Sequence, residues 1–120
     1  MKRFFLLLVL AISAAPSFAQ TTRVTGLISD IWFFSNNFST YNQAGDTALA
    51  VFYIDSPELL PACGDGPPRI AISTDHPLYD SVVSAALAAK ISQKRVQMWH
   101  LPTCNIRENS WDFALFSFAD

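Results

Sequence analysis

The sequence predicts a mainly β domain with one helix, in the order β-β-β-α-β-β, its five strands closed into a barrel. Three observations carry this. Short apolar and β-branched runs bounded by turn formers recur along the chain. One segment, residues 75–93, changes to helical period. The last run, WDFALFSF, is apolar on both faces and needs cover on each. In a barrel one face of such a strand fills the interior. The helix or a neighbouring subunit takes the other. An open α+β sheet with the helix across one face has the same connectivity and is the competing arrangement.

The chain opens MKRFFLLLVLAISAAPSFAQ. Lys2 and Arg3 are a positive n-region, and Phe4 to Ala15 is an apolar stretch. It is short of the roughly 20 apolar residues of a spanning helix. Ser17 and Ala19 are the small residues of a signal-peptidase site, which places the cut between Ala19 and Gln20. An uncleaved N-terminal anchor is the alternative. No cysteine sits at the cut, which argues against a lipid anchor, and no later segment approaches a membrane span. The remaining 101 residues, 20–120, make one domain with a modest core. With Lys2 and Arg3 removed, six basic residues face ten acidic ones, a net charge of −4. That balance argues against nucleic acid and anionic membrane surfaces, which require a basic footprint. Ten phenylalanines and 51% hydrophobic residues exclude a disordered chain.

Arg23 to Phe34, RVTGLISDIWFF, reads as the first strand, bent at Gly26 or broken at Asp30. The polar stretch SNNFSTYNQAGD reads as a loop. Thr47 to Ile54, TALAVFYI, is a buried strand, and residues 55–68 are a Pro/Gly-rich loop. Arg69 to Thr74 is a third strand with Ile70 and Ile72 on one face. From Asp75 to Gln93, Leu78, Val82, Ala86 and Ala89 recur at helical spacing, and Val83 and Leu87 widen the stripe. Asp75 is placed to cap, Pro77 suits the start, and Asp80 suits the N-terminal dipole end. Lys90 and Lys94 suit the other end. Arg95 to Leu101 alternates, with Val96, Met98 and His100 on one face. Residues 102–110 form a loop, and Trp111 to Phe118 is the final strand. A five-stranded barrel with its helix between strands three and four is the OB-fold plan.

Cys63 and Cys104 are the only cysteines, each in a loop. Export would place them where disulfides persist. Two cysteines allow one intramolecular pairing. The alternatives are a metal site or two free thiols. His76 and His100 show no ligand spacing that would complete a zinc site. A bridge closing a loop of about 40 residues stabilises by about 4 kcal/mol in the chain-entropy model.

The segments ACGDGPPRIAIST, DSVVSAALAAKISQKRVQMWHL and TCNIRENSWDFALFSF resemble a group of small exported bacterial proteins similar to the B subunits of subtilase-type AB5 toxins. In that group a cysteine precedes an R-x-A-I strand, and a helix ending L-x-A-K, a basic strand and a second cysteine follow. Here these features fall on Cys63, Arg69 to Ile72, Leu87 to Lys90, Arg95 to Trp99, and Cys104. The resemblance covers residues 60–118. It implies an OB-like barrel, a Cys63–Cys104 bridge, and a ring-forming, glycan-binding surface.

Catalytic chemistry finds little support. His76 beside Pro77 reads as a capping or solvent residue, and His100 as a hydrogen-bonded interior or edge residue. Ser73, Ser81 and Ser84 lack the G-x-S-x-G elbow. Glu108 and Asp112 lie four apart, with no sign of the unlike environments that acid–base work needs. Gly64-Asp65-Gly66 is a turn rather than a phosphate cradle. No cofactor is expected. Binding is better supported. Trp32, Phe34, Asn36, Asn37 and Tyr41 combine aromatic faces with polar groups beside a loop, the mixture that sugar recognition uses. The plainer reading is a loop with aromatics tucked beneath it. Trp99 and Trp111 read as buried or self-association residues before partner anchors. The expectation is a secreted or periplasmic, non-enzymatic binding domain. Its partner is a glycan, with association into a homo-oligomer. An envelope accessory protein acting through protein contacts is the alternative.

Overall fold

In the computed structural model, residues 20–35 and 47–119 are described. The expected signal segment, with Ala19, lies outside the described residues, and Gln20 is the first of them. Asn36, Asn37 and Tyr41 also lie outside them.

The β-branched opening run forms β1, Thr22–Ser35, a continuous strand through both Gly26 and Asp30. What interrupts it is a bulge. Ile28 pairs with Ile54 and Asp30 with Tyr53, so Ser29 is an extra residue. The insertion shifts the inward set from Val24, Gly26 and Ile28 to Ile31. The remaining strands are β2 (Ala48–Asp55), β3 (Ile70–Ser73), β4 (Val96–His100) and β5 (Trp111–Phe118), with the helix α1 (Tyr79–Ser92) between β3 and β4. The strands close in a ring in the order β1-β2-β3-β5-β4, and β4 pairs back onto β1. All pairings are antiparallel except β3 with β5.

The ring encloses Val24, Phe52, Ile70, Ile72, Val96 and Met98, each 0% exposed. Val82, Ala86 and Ala89 of α1 complete the same core. Ile70 and Ile72 share the inner face, as do Val96, Met98 and His100. The helix starts four residues after the expected Asp75. Leu78 is the N-cap and no side chain caps it. Instead the Leu78 N–H donates to His76 Nδ1 at 3.0 Å, so the turn before the helix is closed by imidazole. At the other end Gln93 adopts a left-handed conformation, and the Lys94 N–H donates to Ala89 O at 2.9 Å. The expected stripe narrows accordingly: Leu78 and Leu87 are exposed.

The doubly apolar β5 has a different cause from the one its sequence suggests. Trp99 pairs with Leu115 and His100 with Phe113, so Ala114 is extra. Trp111 and Phe113 face the core before the bulge, and Phe116 packs on it afterwards. A change of inward parity within one strand gives apolar residues at both parities. Only Leu115 and Phe118 of the strand's large apolar residues remain substantially exposed.

Gly26 allows β1 to approach β2. An added Cβ would strike the Asp55 carbonyl oxygen and lie 3.2 Å from Ile54 Cγ2. Because backbone cannot swing aside, Gly26→Ala is expected to destabilise the domain by about 2 kcal/mol, the scale of overpacking in a filled site. Urea unfolding of the variant against the parent checks this.

Candidate functional site

Past its bulge, β1 presents Trp32 and Phe34 on the outer face, opposite Val51 and Leu49 of β2. Leu49, Val51 and Ala71 form a small second core on this side, with Phe34, Tyr53 and Ile106 packed against it. The outer face is therefore covered in part by the segment 101–110, and that cover depends on Asp112. The Asp112 carboxylate accepts from the backbone N–H of Asn105 at 2.9 Å and of Ile106 at 3.0 Å, and from the Thr103 hydroxyl at 2.5 Å. Its backbone N–H donates to Thr103 O, and its carbonyl accepts from the Leu101 N–H. One residue at the start of β5 thus sets the path of the whole segment.

Cys104 lies inside that segment and is disulfide-bonded to Cys63. The bridge ties two loops that also pack closely. An added Cβ on Gly66 would lie 2.8 Å from Asn109 Cβ and 2.9 Å from its carbonyl oxygen. The Trp111 indole N–H donates to Leu60 O at 2.9 Å, fixing the same loop to β5.

On this scaffold the aromatic and cationic groups gather. Trp32 is 53% exposed, and its ring centre lies 5.8 Å from that of Tyr53, tilted by 48°. Arg69, just ahead of β3, is only 9% exposed. Its Nε donates to Asn109 O at 3.3 Å and its Nη1 to the Tyr53 hydroxyl at 3.1 Å. Its guanidinium also lies 6.0 Å from the Tyr53 ring centre. Since the Tyr53 oxygen accepts from Arg69, the phenol still has its own proton to donate. Arg107 sits 4.4 Å over the ring of Phe34. Ser110 Oγ, fully buried beside this cluster in the chain, has no hydrogen-bond partner among the described residues. The result is a half-exposed indole packed at a tilt against a tyrosine, which is itself hydrogen-bonded by an arginine.

Trp32 and Phe34 were legible as candidates, and they share one face. Tyr53, Arg69 and Arg107 were not, because TALAVFYI reads as a wholly buried run. The signal was there in its alternation: Leu49, Val51 and Tyr53 are one parity and Ala50, Phe52 and Ile54 the other.

The histidines take structural positions. His76 closes the turn before α1 and meets Phe113 edge-on at 5.4 Å. His100 is 4% exposed, stacks on Trp111 at 4.7 Å, and its Nδ1 lies 2.8 Å from Leu101 O. Burial lowers its pKa from the ordinary 6.5, against a smaller opposing effect of the Leu101 carbonyl. The native state therefore binds fewer protons at this ring than the unfolded chain. Its contribution to stability is present above pH 6.5 and is lost as the pH falls towards the lowered native pKa. His100→Phe is expected to flatten the fall in unfolding midpoint between about pH 7 and about pH 5, where an ordinary histidine titrates. Parallel slopes for parent and variant would contradict this.

Among the described residues no three His, Cys, Asp or Glu side chains gather as metal ligands. No helix among them is long and apolar enough to cross a membrane. The chain matches no family model, no curated protein and no solved structure.

Proposed function

We propose that the chain is an exported, non-enzymatic binding domain that recognises a glycan on the outer face of β1, β2 and β3. The observation that carries this is Trp32, half in solvent yet braced against Tyr53, whose hydroxyl is in turn held by Arg69. The indole offers an apolar platform to the C–H face of a sugar, and the phenol that packs against it offers a hydrogen bond. Rigid aromatic anchors lose little entropy on binding. The fold reading that accompanies this is an OB-like barrel. It is supported by the ring order β1-β2-β3-β5-β4, the parallel β3–β5 pair and the helix between β3 and β4. Barrels of that plan use the strand 2–3 face for oligosaccharides and oligonucleotides. The acidic balance of the chain disfavours the latter. The resemblance to toxin B subunits points the same way, and the disulfide suits a secreted or periplasmic location.

A glycan array probed with the purified 20–120 protein tests the reading. The parent is expected to retain a defined set of saccharides. Trp32→Ala is expected to lose at least about tenfold in affinity, as hot-spot aromatics do, with its unfolding midpoint nearly unchanged. An array without binding would overturn the glycan reading.

The second reading is an accessory protein acting through protein contacts. Exposed Leu115 and Phe118 on β5, with Leu87 and Ile91 on α1, favour it. Capture of a defined envelope protein by a chain that binds no glycan would select it. Light scattering that finds a monomer would count against a ring assembly.

A further inference from the structure

We propose that the cleft at the C-terminal end of α1 binds a free anionic amphiphile, an acidic head group on an apolar tail. The cleft has a volume of about 760 Å³ and is lined chiefly by Ala88, Ala89, Ser92, Lys94, Arg95 and Phe118. That size is within the range of small-molecule sites. It lies away from the outer face of β1, β2 and β3 that carries the glycan reading, so the two stand or fall separately.

Its lining combines two things that seldom meet by default on an acidic domain. The first is charge. Of the six basic residues in 20–120, three (Lys90, Lys94 and Arg95) stand at this one end of the helix. The helix dipole accounts for Lys90 in the last turn. Lys94 and Arg95 follow the left-handed Gln93 and lie beyond that turn. No Asp or Glu lines the cleft among the described residues, and neither cation forms an ion pair among them.

The second is exposed apolar surface. Phe118 is 51% exposed, and its ring meets Phe116 edge-on at 5.3 Å between ring centres. A second hollow of about 350 Å³ shares Ala89 and Gln93 with the first and reaches Leu27 and Ile28. Leu27, Ile28 and Ala89 give a short apolar tail a side to lie on, opposite Ser29, Lys90 and Gln93. Asp55 lines that hollow, so the acidic head belongs at the Lys94 and Arg95 end. An anion there gains charge-assisted hydrogen bonds from two cations, while its tail covers alanine and phenylalanine surface.

The test uses decanoate, below its micelle concentration, titrated into the isotope-labelled 20–120 protein. The expected result is saturable binding with amide shifts confined to residues 27–29, 55, 88–95 and 118–119. Lys94→Gln with Arg95→Gln is expected to weaken it about tenfold or more, the loss that removed charge-assisted contacts bring. Ala88→Trp, on an exposed helix position, is expected to abolish it by filling the cleft while the circular dichroism stays unchanged. Decanol binding as tightly as decanoate would overturn the proposal. So would shifts centred elsewhere, or no saturation. Retention on phosphatidylglycerol vesicles without any binding of free decanoate would also overturn it, assigning the cations to a membrane surface instead.

Discussion

Replacing Cys63 and Cys104 together by serine is expected to lower the stability of the domain by about 4 kcal/mol. The bridge spans 41 residues, and a loop of that length removes much conformational freedom from the unfolded chain. A domain of this size has about 5–15 kcal/mol in total. The loss therefore takes a large fraction of it, and the variant should melt at a distinctly lower temperature than the parent. The position of the bridge adds to the effect. It joins the loop ahead of β3 to the loop ahead of β5, and β3 and β5 meet over only two paired positions, Ile70 with Trp111 and Ala71 with Asp112. The shortest ladder in the ring is thus the one that the bridge supports. Guanidinium unfolding of parent and double variant checks the magnitude. A change below about 1 kcal/mol would mean that loop packing alone holds this junction.

Asp112→Ala is expected to cost about 3 kcal/mol, the next largest effect. The carboxylate is 4% exposed and accepts from the Asn105 and Ile106 backbone N–H groups and from the Thr103 hydroxyl. Alanine leaves three donors in a partly buried site with no acceptor, and each unmade bond there costs about 1–3 kcal/mol before any rearrangement. Asp112→Asn is expected to be milder but not neutral, because its amide turns one acceptor into a donor facing other donors. The segment 101–110 should loosen in both, and Ile106 with it, so faster hydrogen exchange at Asn105 and Ile106 is the local signature. Unchanged exchange at those two amides would show that the carboxylate does not organise the segment.

Much of the fold could be read from the chain because its elements obey their own periods. Val96, Met98 and His100 alternate without interruption, and they all face inward. Trp111–Phe118 follows a loop of turn formers, and its limits are those expected from sequence. Where local chemistry competed, the reading slipped. Asp75 is a good capping residue, but the Ser73 hydroxyl accepts from the Asp75 N–H and His76 closes the next turn, so the helix begins at Tyr79. The two bulges were invisible because nothing local marks Ser29 or Ala114 as extra. Only the partner strand defines a bulge. The same limit applied to the site. Trp32 declares itself as an aromatic next to a polar loop. Arg69 does so only once Tyr53 is seen beside it, a contact 16 residues apart in the chain. The spacing of Glu108 and Asp112 gave no sign of acid–base work and no sign of another role for Asp112 either, which the fold turns onto backbone donors.

Ligand recognition on the outer face of β1, β2 and β3 is tested most directly by following the indole N–H resonances of Trp32, Trp99 and Trp111 while a saccharide selected on the array is added. The expected result is a saturable shift of the Trp32 resonance, accompanied by Tyr53 and the Arg69 Nε–H, with Trp99 unmoved. A saccharide that binds while Trp32 stays fixed and Trp99 or the β5 amides shift would contradict it.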